Sequence, residues 1–191
     1  MQAVRAAGAL LSIMDAALLV VASTHVATGL RAQADARGIS PARLAAGAAA
    51  SRTPGEPLGR LEIPRVGLDA VVFEGVSTAT LRKGPGHLPR TAWPLAAEGA
   101  EGNCVIAGHR DSFFRSLREA REGDLVLLTG AAGVRRYRLG ASRIVRPDDI
   151  AVAAPTAEAR LTLITCYPFR WIGAAPMRLV LSATEVPASL P

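Results

Sequence analysis

The stretch Leu161-Thr162-Leu163-Ile164-Thr165-Cys166-Tyr167-Pro168-Phe169 alternates apolar and β-branched residues over the length of one buried strand. Pro168 has no N–H to give to a ladder and cannot continue a central strand, so the chain must leave the sheet there. The strand therefore carries a thiol, Cys166, to its mouth. A free cysteine more often packs than reacts, and its surroundings decide which.

Two other strand ends supply those surroundings. Gly102-Asn103-Cys104-Val105-Ile106-Ala107-Gly108-His109-Arg110-Asp111 is a short apolar strand closed by glycine and followed by a histidine among polar residues. Pro176-Met177-Arg178-Leu179-Val180-Leu181 opens a further strand with an arginine on it. A thiol, an imidazole and a fixed cation are a nucleophile, a proton-transfer group and a partner for an oxyanion or substrate carbonyl. Arg170, soon after Cys166, rivals Arg178 for the cation's place.

In these motifs, Gly-Asn-x-Val-Ile-Ala-Gly-His-Arg-Asp over 102–111, Leu-Thr-Leu-x-Thr-Cys-Tyr-Pro-Phe over 161–169 and the strand-opening Arg178, the chain resembles the sortases, a family of membrane-anchored cysteine transpeptidases. The likeness runs from about Leu61 to Glu185. The Cys-Tyr-Pro-Phe ending and Gly84-Pro85-Gly86-His87 look most like class D and its Gram-negative relatives. The resemblance implies an eight-stranded barrel that cleaves an LPxTG-like C-terminal sorting signal between Thr and Gly, holds the Thr as a thioester on Cys166 and passes it to an amine acceptor.

On that resemblance His109 protonates the departing amine and later accepts a proton from the incoming one, while Arg178 bonds the substrate backbone or the oxyanion. Thr165 is a supporting candidate: its side chain should point away from the thiol, and its backbone shapes the oxyanion site. For His87 a structural or groove-lining role and a chemical one weigh equally. Asp111 orients His109 or Arg110, or simply caps the helix that follows; the cap is preferred. Two other readings remain: a hydrolase in which water resolves the thioester, and a non-catalytic, membrane-tethered assembly protein.

A chain of 191 residues holds one domain plus extensions. The formal charge of +6 invites a nucleic-acid partner, but the arginines are spread along the chain and no basic cluster is interleaved with aromatics, so none is expected. The two cysteines have neither metal-site nor disulfide-framework spacing. Cys104 reads as a small core residue sharing a strand face with Ile106, the alternative being a disulfide to Cys166. Glu62, Asp69, Glu74, Glu98 and Glu101 are too scattered for a calcium loop, and no cofactor motif is present.

Residues 1–29 hold an apolar run, 6–26, of about the roughly 20 residues a membrane helix needs. Asp15 in its middle costs about 2.5–3.5 kcal/mol, which the Leu, Ile and Val residues offset at about 0.3–0.6 kcal/mol each. As an uncleaved anchor the run leaves Arg5 and the amino terminus in the cytoplasm, and the rest of the chain outside a bacterial cytoplasmic membrane. As a signal peptide it would be cut after Ala32-Gln33-Ala34, which has the small-x-small form. The anchor is preferred.

Residues 30–59 read as a linker, with a short helix over 41–50 capped by Ser40. The domain expected over 60–191 begins with strands at 61–63 and 70–73 and a helical turn capped by Ser77. A helix over 113–121 with Phe113, Phe114 and Leu117 on one face follows His109. A hairpin turns around 130–133, and a loop over 147–159 borders the Cys166 strand. Seven or eight short strands with little helix predict a mainly β, closed barrel.

Overall fold

The computed structural model describes residues 27–38, 53–95, 102–130 and 132–187. Eight strands, β1 (Pro57–Ile63), β2 (Leu68–Glu74), β3 (Gly86–His87), β4 (Asn103–Gly108), β5 (Leu125–Gly130), β6 (Gly133–Val145), β7 (Arg160–Tyr167) and β8 (Met177–Glu185), account for most of its regular structure. They close in the order β1-β2-β3-β4-β7-β8-β6-β5, with β5 pairing back onto β1. This is the mainly β, closed barrel that the runs of β-branched and aliphatic residues predict.

Alternation fills the interior. Leu161 and Leu163 of β7, Cys104 and Ile106 of β4, Leu179 and Leu181 of β8, and Leu61 and Ile63 of β1 all belong to one core, joined by Trp93, Phe114, Leu117 and Tyr137. The turns are chemical necessities of the same sequence. Gly67 follows the Pro64–Val66 3-10 turn at φ 64, and Gly133 enters β6 at φ 109, left-handed conformations that a side chain resists. The β5–β6 hairpin forms at the expected glycines.

Cys104 is fully buried and faces the core, as its strand position predicts. It pairs in register with Leu161, five residues short of Cys166, a separation of roughly 16 Å along a strand, where a disulfide needs Cα atoms within about 7 Å. Both sulfurs are thiols, and the disulfide alternative falls.

The helices depart from expectation in instructive ways. Ser77 does cap α2 (Thr78–Lys83), its hydroxyl accepting from the Thr80 N–H at 3.2 Å. After His109, however, only a 3-10 turn over Arg115–Glu119 forms, and no side chain caps it. The N–H groups of Ser112 and Phe114 both donate to the His109 carbonyl, so the chain turns tightly there and offers Asp111 no helix to cap. Asp111 instead pairs at 3.4 Å with Arg110, its side chain 75% exposed.

Part of the expected linker is a helix, α1, over 27–37. It seats Gly29, Gln33 and Ala36 on the barrel while Leu30, Arg31 and Ala34 face solvent, the spacing of one helical face. Gln33 carries the contact: its Oε1 accepts from the Val71 N–H at 2.7 Å, and its Nε2 donates to the carbonyls of Val71 and Lys83, each at 3.0 Å. β1 then opens at Pro57, just before the expected start at residue 60. The expected membrane segment over 6–26 and the Ser40-capped helix lie outside the described residues, among which no helix is long and apolar enough to cross a membrane.

Candidate active site

The strand pairing determines which side chains meet. β4 and β7 run parallel with Gly108 opposite Thr165, so His109 leaves β4 at the level of Cys166. β7 and β8 run antiparallel with Cys166 directly opposite Arg178. Since Leu161, Leu163 and Thr165 are buried inward, Cys166 shares the outer face with Thr162 and Ile164. By the same alternation Leu179 and Leu181 point into the core and Arg178 points out. One row across the outside of three adjacent strands thus reads His109, Cys166, Arg178.

Each member is held differently. Cys166 and Arg178 are half-buried and His109 is exposed. Arg178 donates from Nη1 to the carbonyls of Met177 at 2.9 Å and Ala175 at 3.2 Å, leaving Nε and Nη2 without a partner among the described residues. Arg170, the rival cation, lies instead with Arg110, Arg115, Arg118 and Phe169 around a separate cavity.

Below the row, two bonds lock its geometry. Thr165 turns away from the thiol, as expected, and its hydroxyl donates to the Gly108 carbonyl at 2.8 Å, joining the residues just before Cys166 and His109. Gly108 itself has to be glycine: a Cβ there would stand 2.7 Å from the buried Phe114 ring.

His87 does not join the row. It is fully buried in β3, with Nδ1 2.9 Å from Glu74 Oε2, Nε2 3.1 Å from the Thr91 hydroxyl, and Trp93 edge-on at 5.3 Å. Its surroundings make it a tie between β3 and the segment after it. Asp111, bound to Arg110, touches neither His109 nor Cys166 among its hydrogen bonds and ion pairs.

Two positioning residues escape a reading of the sequence. Asn103 is buried at the start of β4; its Nδ2 donates to the carbonyls of Val152 and Ala154, at 3.0 and 3.1 Å, and its Oδ1 accepts from Thr162 at 2.7 Å. It fastens the loop between β6 and β7 over the outer face that carries Cys166. Arg110, 7% exposed, donates to the carbonyls of Pro168 and Trp171, each at 2.8 Å, and to Gly173 at 3.4 Å, which fixes the loop between β7 and β8. A polar residue inside an apolar strand and an arginine next to His109 were the available signals. Among the described residues, no group of three or more His, Cys, Asp or Glu side chains is placed to hold a metal ion.

A cysteine with a histidine and an arginine at its own level on the adjacent strands of one face is suited to acyl transfer through a covalent intermediate. Comparisons agree in kind. The model of the Sortase domain matches residues 61–186. Sortase D of Bacillus subtilis (strain 168) is 34% identical over 133 residues, 69% of this chain and 65% of that protein, so the chain spans just under two thirds of this relative. That relative is of the class to which the Cys-Tyr-Pro-Phe ending points. Among solved structures, a Clostridium perfringens Sortase D5 transpeptidase shares the fold with a TM-score of 0.70 at 21% identity, over 84% of this chain and 99% of that one. A Clostridium perfringens sortase C, solved with the C-terminal cell wall sorting motif, has a TM-score of 0.64 at 26% identity, over 72% of this chain and 74% of that one. A domain match over more than half of its length, a relative so similar in sequence and the barrel shared with solved sortases establish that this chain belongs to the sortase family.

Proposed function

We propose that the chain is a membrane-anchored cysteine transpeptidase that cleaves an LPxTG-like C-terminal sorting signal and transfers the acyl group to an amine. The observation that carries the reading is the register of β4, β7 and β8, which aligns His109, Cys166 and Arg178 in one row. The Cys166 thiolate attacks the carbonyl carbon of the Thr–Gly bond, and the developing oxyanion takes hydrogen bonds from the unspent donors of Arg178. His109 gives a proton to the departing glycyl amine, leaving a thioester. An acceptor amine then attacks that carbonyl, loses a proton to His109, and expels the thiolate.

The partners in this reading are a surface protein ending in the sorting signal and an amine acceptor; the sorting-motif complex of the Clostridium perfringens sortase C supports the first. Residues 6–26 anchor the chain in a bacterial cytoplasmic membrane, the amino terminus inside and the barrel outside. The place of Ala32-Gln33-Ala34 supports an anchor over a cleaved signal, because a cut after Ala34 would strip Gln33 and its three hydrogen bonds from the barrel.

Mass spectrometry of the full chain in detergent, incubated with an LPxTG-type peptide library and mixed amine acceptors, tests the reading. A peptide–acceptor conjugate that the Cys166→Ala variant cannot form is expected. Hydrolysed peptide alone would replace the transpeptidase by a thiol hydrolase, and neither conjugate, hydrolysis nor thioester would overturn the enzymatic reading.

A further inference from the structure

The loop between β7 and β8 presents apolar side chains to water from a fixed frame. Ile172 is fully exposed and Trp171 is 49% exposed. Loops of this kind usually fold such side chains down, yet here the buried Arg110 spends its guanidinium on three of the loop's carbonyls, and the Trp171 indole N–H donates to Ala174 at 3.0 Å. A buried cation thus holds an apolar tip outward.

Next to the tip, basic side chains outnumber acidic ones. Arg110, Arg115, Arg118 and Arg170 line a cavity of about 440 Å³ beside Phe169, with Asp111 the one acid there. The side chains of Arg115 and Arg170 have no hydrogen bond or ion pair among the described residues, while that of Arg118 pairs only with its neighbour Glu119, at 3.1 Å. A basic patch around an exposed tryptophan and isoleucine is the composition of a surface that enters a membrane interface, with aromatic and aliphatic groups at the headgroup boundary and arginines on anionic headgroups.

The third observation is where the chain enters the domain. The described residues open at 27, already within α1 and directly after the apolar run, and at Gly29 the helix lies so close to the barrel that a Cβ would stand 2.8 Å from the Arg82 carbonyl and 3.4 Å from Phe113. Gly29, Leu30 and Phe113 line one cavity with His109, and Leu30 is 65% exposed. An anchor over 6–26 therefore delivers the chain to the His109 end of the barrel without a free spacer.

We propose that the catalytic end of the barrel rests on an anionic lipid bilayer, with Trp171 and Ile172 at the headgroup–acyl boundary and Arg115, Arg118 and Arg170 on lipid phosphates. This rests on the anchor reading of residues 6–26. The sorting signal and the acceptor then meet the thiol at the membrane surface.

The chain's two tryptophans make the test direct, since Trp93 is 1% exposed inside the barrel. The full chain is reconstituted into vesicles of phosphatidylcholine and phosphatidylglycerol carrying brominated acyl chains, which quench indoles that touch them. The expected result is loss of most of the Trp171 emission, with the Trp93 emission of Trp171→Phe kept. The loss should shrink in Arg115→Glu/Arg118→Glu/Arg170→Glu. Chain that sediments with the vesicles but keeps its Trp171 emission, still open to aqueous acrylamide, overturns the proposal and leaves the anchor standing. Chain that does not sediment with them overturns the anchor and the proposal together. Equal quenching in phosphatidylcholine alone removes the arginines' part, and protection of Trp171 from acrylamide by a sorting-signal peptide without lipid assigns the tip to the peptide instead.

Discussion

Thr165 and Gly108 are the smallest unit on which the site depends. One hydroxyl-to-carbonyl bond of 2.8 Å joins the two backbones a single residue before Cys166 and His109, so an error in its length passes directly to the spacing of thiol and imidazole. Thr165→Val keeps the shape and removes the bond. The expected cost is about 1 kcal/mol of stability, with a fall in kcat much larger than any change in KM, read by steady-state transpeptidation alongside thermal melts. The sequence discloses that Thr165 faces away from the thiol, because alternation is a local rule. Its partner is not disclosed, for Gly108 lies on a distant strand and only the pairing of β4 with β7 brings them together. His87 is a similar case: the residue stands out in the sequence, but Glu74, which decides its role, is identified only by the pairing of β2 with β3.

Elements position the groove. Asn103 is a side chain of β4 that serves the loop between β6 and β7, holding Val152 and Ala154 over the outer face at the level of Thr162. Asn103→Ala releases that loop and leaves Thr162 without its acceptor, so KM for a sorting peptide should rise more than kcat falls, with a stability loss of about 1–3 kcal/mol; peptide titration kinetics and denaturant melts separate the two. Strands were legible wherever β-branched residues alternate, and so was the Ser77 cap. The helix over 113–121 was not, because Phe114 and Leu117 stand three apart, a spacing that suits a 3-10 turn as well as an α-helix. The deciding contacts are the two N–H groups that turn back onto the His109 carbonyl. α1 was missed because its docking face is made of Gly29, Gln33 and Ala36, none of which marks an apolar stripe.

At the scale of the molecule, the barrel is closed by ties between distant turns. Arg65, in the turn between β1 and β2, forks onto both carboxylate oxygens of Asp124 at the start of β5, and Asp124 also accepts from the Arg121 N–H at 2.8 Å. The guanidinium hydrogen bond is the main reason the Asp124 carboxyl is held below its ordinary value. A depressed folded-state value stabilises the fold above the unfolded carboxyl's pKa of about 3.9 and loses that contribution as pH falls through the folded value. Asp124→Asn should therefore melt below the parent at neutral pH, and the gap in Tm should close as the pH drops under about 4, in melts taken across that range. Strand order was the least legible property. The pairing of β4 with β7 joins segments separated by a whole hairpin, and no local rule of composition selects it.

β2 pairs with β3 through Phe73 and Glu74, and among the described residues no strand lies along the edge of β2 before them. The amide of Gln33 occupies that edge as a single strand residue would, accepting from the N–H of Val71 and donating to its carbonyl. α1 is in this sense a guard against self-association: an uncovered edge is a template on which a second chain can add a strand. A shortened chain beginning at Thr53, which lacks α1 but keeps all of β1, should keep the circular dichroism of the barrel and yet form dimers or larger species by light scattering, whereas one beginning at residue 27 should stay monomeric.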